Sequence, residues 1–121
     1  MALATLGRII FGAYFLYSGL NHFLNEKSLS GYAKSKGVPS SRFAVLITGA
    51  MLVVGGAGIL LGSYIAESAT LLLVFMVPTT FVMHAFWKIS DPMHRMNDRI
   101  GFMKNLALVG ALLMMASPFF F

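Results

Sequence analysis

The side chains in this sequence that can do chemistry beyond packing are three imidazoles, a few amides and a set of aromatics. Asn21 and His22 are adjacent, with Tyr14, Tyr17 and Ser18 just before them. His84 precedes Trp87 by three residues, Asp91 and His94 follow, and Asn105 comes later. Imidazole and amide groups bond carbonyl oxygens, and aromatic side chains pack on flat rings. Tyr17, Asn21, His22, His84, Trp87, Asp91 and Asn105 therefore form a candidate site for a quinone-like ring. In that reading His22 and His84 bond the carbonyls and Trp87 stacks. Asn21 and Asn105 orient the ligand, and Asp91 fixes a histidine tautomer. The same residues also serve as a polar cap at a membrane interface, with Trp87 in the aromatic belt. A third use is ligation of a haem iron by His22 and His84, although neither has a second ligand at i+3 or i+4. His94 reads as solvated.

Other chemistries are excluded. There is no cysteine, so thiol–disulfide exchange, zinc–thiolate sites and iron–sulfur clusters cannot be built from this chain. No Ser/His/Asp constellation, phosphate loop or carboxylate pair is visible. Only four residues are acidic, and none lies deep in an apolar segment as proton-coupled antiport requires. Arg8 and Glu67 stand near the opposite end of their segments from the histidines and form a candidate charge pair. Snorkelling of Arg8 to headgroups, and attraction of Glu67 to a helix N-terminus, are the alternatives.

These residues must be positioned by apolar segments. The chain has 121 residues, 58% of them hydrophobic and only 11% charged, with mean hydropathy +0.80. A soluble domain of this size buries too little surface to hide such a composition. The expectation is an all-α, integral membrane four-helix up-down bundle forming one domain over residues 1–121. Its spans fall near 4–24, 43–62, 67–87 and 102–119, each of bilayer-crossing length. The first span is expected to be retained, because no small-x-small cleavage site follows Gly19.

The cations set the topology. Lys27, Lys34, Lys36 and Arg42 lie between spans one and two, and Lys88, Arg95, Arg99 and Lys104 between spans three and four. The remaining link has none. The positive-inside rule places both basic links in the cytoplasm and both termini outside. The net charge of +5 is read as topology signal and headgroup contact, and nucleic-acid binding is not expected.

Each cytoplasmic link is expected to carry a short interfacial helix. In the first, Ser28 caps a helix through Lys36, Gly37 takes the C′ position and Pro39 stops it. Ser40 or Ser41 then caps span two. In the second, Asp91 and Pro92 read as N-cap and N1 of a helix leading into span four. Small residues in span two, including a Gly58/Gly62 pair, suit close packing within the bundle or a homo-oligomer face. Pro78 interrupts the ladder of span three and is expected to kink it.

Four runs of residues resemble the DoxX family of small four-helix membrane proteins. They are Gly7-Arg8-Ile9-Ile10-Phe11-Gly12 continuing to Ser18-Gly19-Leu20-Asn21-His22-Phe23; Gly31-Tyr32-Ala33 through Lys36-Gly37-Val38-Pro39; His84-Ala85-Phe86-Trp87 with Asp91-Pro92; and Phe102-Met103-Lys104-Asn105 through Gly110-Ala111-Leu112. The resemblance spans nearly the whole chain in order. It implies a four-helix bundle in a bacterial or archaeal inner membrane. The family is named after a subunit of a membrane thiosulfate–quinone oxidoreductase, and other members are linked to quinone and catechol stress. Fold carries over further than function in such cases.

The leading expectation is a quinone/quinol-binding membrane subunit, or a membrane anchor for an oxidoreductase partner, rather than a complete enzyme. A non-catalytic assembly protein that engages partners through span two and the charged links is the alternative. A small bis-histidine b-type haem protein is the third.

Overall fold

A computed structural model describes residues 2–120, and all of its regular structure is helical. Helix α1 spans Ala2–Leu24, α2 Glu26–Ser35, α3 Ser41–Leu61, α4 Ile65–Met83 and α5 Pro92–Phe120, with a 3-10 turn at Phe86–Lys88. Four helical segments are long and apolar enough to cross a membrane: α1, α3, α4 extended to Lys88, and α5. Backbone polar groups find no partners in hydrocarbon, so helices that satisfy them internally are the form such segments take. The protein is a multi-pass membrane protein. Leu3, Tyr17, Leu24, Phe43, Leu61 and Met114 are among the large apolar side chains left on its outside.

The helices run up and down, α1 packing on α3, α3 on α4 and α4 on α5. Between α1 and α3 the approach is backbone to backbone. A Cβ added at Gly12 would lie 2.6 Å from the Leu60 amide nitrogen, and one at Gly56 would lie 2.6 Å from that of Leu16. Two turns away, Gly19 sits 2.7 Å from the Val53 amide nitrogen by the same measure. Gly49, opposite it, leaves room for the His22 Cβ. In lipid, dispersion between closely approached helices replaces the hydrophobic drive, and only glycine permits this separation. The expected Gly58/Gly62 pair does something else. Gly58 faces Ser68 of α4, and Gly62 lies under the Arg8 guanidinium in the turn after α3. Phe15, Leu52, Ile59, Ala69, Leu72, Met76, Leu112 and Ala116 fill the centre.

The link between α1 and α3 departs from expectation at its start and follows it at its end. Its helix begins at Glu26, not after Ser28, and Asn25 at the N-cap makes no side-chain capping bond. At the other end Gly37 has φ +87°. The Gly37 amide donates to the Lys34 carbonyl at 3.0 Å and the Val38 amide to that of Ala33 at 3.1 Å. This pair of bonds satisfies the last carbonyls and reverses the chain. Ser40 does occupy the N-cap of α3, but in a left-handed conformation with no side-chain capping bond.

The second basic link holds no separate interfacial helix. Residues 92–101 and the fourth apolar segment form one continuous helix, α5. Its start matches the sequence signal, because the His94 amide donates to Asp91 Oδ2 at 2.9 Å. Helix α4 continues through Pro78 without a break in its helical run.

Candidate ligand groove at the link end of the bundle

Helices α3 and α4 touch closely at one end and part at the other. Near the α3–α4 turn, a Cβ at Gly55 would meet Leu72 and one at Gly58 would meet Ser68. Towards the basic links a cavity of about 380 Å³ opens between them. Val45, Thr48 and Met51 line it from α3, and Phe75, Pro78 and Thr79 from α4. Val74 and Val82, also in its wall, are exposed on the outside of the bundle, so the cavity is a groove open sideways to lipid. Leu29, Ala33 and Val38 of the α2 link form its roof.

One imidazole enters this apolar space. His22, in the last turn of α1, lines the groove and meets the Phe75 ring edge-on with centroids 6.0 Å apart. Its Nδ1 lies 3.0 Å from the Val45 carbonyl oxygen and 3.2 Å from Thr48 Oγ1. The Thr48 hydroxyl itself donates to the Ala44 carbonyl at 2.6 Å. Among the described residues Nε2 makes no hydrogen bond, and the side chain is only partly buried where it lines the groove. Gly49 is what seats this ring, since any side chain there would collide with the His22 Cβ.

The other expected site residues lie elsewhere. Tyr17 is 72% exposed on the outer surface. Asn21 accepts a bond from the Asn25 amide group and does not line the groove. Trp87 is half exposed and packs with Phe81, Phe86 and Phe102. Asp91 is exposed and bonds the α5 N-terminus, so it is not placed to set a histidine tautomer. Asn105 is buried on α5, away from the groove lining. His84 packs on Gly101 of α5, and it does not share the groove with His22. The two histidines thus stand in separate environments.

The second environment centres on Asp98, which the sequence reading left out. Its buried carboxylate receives Lys36 Nζ at 2.8 Å, with His84 Nδ1 at 3.5 Å and His94 Nε2 at 3.9 Å. Burial pulls the Lys36 ammonium down, but the hydrogen bond and charge of Asp98 outweigh it and leave its pKa above the ordinary 10.5. Asp98, Asn105 and Leu112 recur every seven residues and are all buried. That spacing marks the inward face of α5 and is the signal by which Asp98 was findable. Glu26 pairs with Arg42 at 2.9 Å. The two ion pairs clamp the roof to α5 and to α3. Lys36 and Arg42 were legible as charges of the first link, but their partners were not.

At the other end of the bundle, Arg8 and Glu67 form no ion pair. Arg8 donates to Thr5 Oγ1 at 3.3 Å, and Glu67 stands exposed in the first turn of α4. Among the described residues no cluster of three or more His, Asp and Glu side chains is arranged to hold a metal ion.

Fold and groove together define a small helical membrane protein with a laterally open, nearly apolar site. The chain belongs to the DoxX family, whose model matches residues 3–85. The match covers α1 to α4 and ends before the aromatic turn and α5, so the Phe102–Leu112 run of the resemblance lies outside it. No curated protein and no solved structure matches the chain.

Proposed function

We propose that this protein is a single four-span domain that holds a quinone- or quinol-type ring in the groove between α3 and α4, as the membrane subunit of a quinone-linked redox system. The observation that carries the reading is one accessible imidazole edge, His22 Nε2, in a groove otherwise lined by aliphatic and aromatic side chains and open to lipid. Such ligands are lipid-soluble, flat and polar only at their ring oxygens. A lateral opening admits them from the bilayer, Phe75 and the aliphatic walls contact the ring, and His22 meets an oxygen. An acyl chain filling the groove would leave the imidazole edge unsatisfied. A bound ring would supply the redox chemistry, and the residues of this chain bind and orient it.

The charge distribution supports an inner-membrane location with both basic links in the cytoplasm and the termini outside. The groove then lies at the cytoplasmic end, where a soluble oxidoreductase could approach the exposed Lys27, Lys34, Arg95 and Arg99.

Mass spectrometry of small molecules extracted after purification in mild detergent tests the reading. The expected result is a ring-bearing lipid retained by the native protein and lost from Thr79→Trp, which fills the groove. Recovery of phospholipid alone from the native protein, together with no binding of added quinone or quinol, overturns it.

A further inference from the structure

We infer that the groove selects the reduced, hydroxyl-bearing form of its ring ligand, with His22 Nε2 as the residue that reads it. The inference rests on the ring-binding reading above and deepens it. A carbonyl oxygen has lone pairs and no hydrogen. The contact of 3.0 Å between His22 Nδ1 and the Val45 carbonyl is therefore a hydrogen bond only if Nδ1 carries the proton. The second neighbour agrees. Thr48 Oγ1 lies 2.6 Å from the Ala44 carbonyl and 3.2 Å from that of Val45, and with its hydrogen on either it presents lone pairs to Nδ1 at 3.2 Å. The Val45 contact sets the Nδ1–H tautomer and the Thr48 contact is compatible with it, so in the neutral imidazole Nε2 is an acceptor.

The opposite wall adds a compatible feature. Pro78 has no N–H, so the carbonyl of Val74, four residues earlier, loses its helical donor. Both residues line the groove. The freed carbonyl belongs to a residue of the groove wall, and it can only accept. Thr79, also in the lining, can donate or accept. The polar groups of fixed sense are thus acceptors, and no charged side chain lines the groove. A hydroquinone or catechol brings O–H donors to such a site. The corresponding quinone brings only lone pairs, which would face the lone pair of Nε2. A site with a fixed hydrogen-bond sense rejects the form that lacks the matching group, because its own polar atom is then left unpaired.

Three probes with the same ring system test this in lipid nanodiscs under anaerobic, neutral conditions: 1,4-naphthohydroquinone, 1,4-naphthoquinone and 1,4-dimethoxynaphthalene. Calorimetric titration of the native protein is expected to rank the hydroquinone about tenfold or more above the other two, the scale of one hydrogen bond in a desolvated site. His22→Ala is expected to bring the hydroquinone down to the level of the dimethoxy compound. The comparison among probes on the native protein needs no variant, so a misfolded mutant does not obscure it. Binding of all three within twofold, or tightest binding of the quinone, overturns the selection of the reduced form and leaves ring binding intact. Failure of every probe to bind overturns both.

Discussion

Lys36 Nζ and Asp98 Oδ2 stand 2.8 Å apart, joining positions separated by 62 residues of sequence. Lys36 closes the helix that roofs the groove, and Asp98 faces inward from the first turns of α5. The pair holds both long links at one end of the bundle. It also ties the roof residues Leu29, Ala33 and Val38 to a helix that does not itself line the groove.

Breaking that pair should loosen the roof. Asp98→Asn or Lys36→Met is expected to cost about 1–3 kcal/mol, because each leaves a largely buried charge without its partner. The double variant should cost less than the sum of the two. Unfolding in micelles by added SDS measures all three, and strictly additive losses would count against a direct pair. The pH dependence follows from the raised Lys36 pKa. The contribution of this ammonium is fully present below its unfolded value of about 10.5 and is lost as pH climbs through the higher folded value. Stability lost with the single variants at pH 8 should therefore shrink as the pH rises past the ordinary lysine value of 10.5.

Glycine spacing between α1 and α3 makes a steric prediction. Gly12 and Gly56 each lie where a Cβ would come within 2.6 Å of the partner backbone, which cannot retreat as a flexible side chain can. Gly56→Leu should destabilise by at least about 3 kcal/mol or displace α1 altogether. Gly7 and Gly110, beside which there is open space, should accept alanine within about 0.5 kcal/mol. Thermal unfolding of the variants in detergent distinguishes the two classes, and a benign Gly56→Leu would refute the close approach.

Topology can be read with a membrane-impermeant thiol reagent, since the chain has no cysteine of its own. Lys34→Cys and Arg95→Cys lie on different links but at one end of the bundle. Both are expected to react only from the cytoplasmic face of sealed vesicles. Reaction from opposite faces would contradict the up-down arrangement, and reaction of both from outside would reverse the orientation while keeping the fold.

The span pattern was legible because hydrocarbon imposes it locally. Twenty apolar residues must become a helix wherever they sit, and a Gly-Val-Pro sequence after an amphipathic stretch ends a helix by its own geometry. His22 was legible as a polar residue near a span end for the same reason. Its pairing with His84 was not. Which way a side chain points depends on the rotation of its helix, and Gly49 and Gly101 seat the two rings in different places. The same holds for Tyr17: its depth is a property of sequence, but its 72% exposure is a property of packing.

The sequence alone determined four apolar helices, two basic links, the absence of thiol chemistry and a resemblance carried by short motifs. Each of these depends on composition, or on residues within about one helical turn of each other. Tertiary structure decided that α3 and α4 part below Gly55, that only one imidazole enters the resulting groove, and that Asp98 meets Lys36. These depend on contacts between helices: Gly55 and Gly58 admit Leu72 and Ser68 of α4 at one end of the bundle, while at the other Gly49 admits His22 and Gly101 admits His84. Such contacts involve atoms from several helices at once, so no single stretch of the chain contains them.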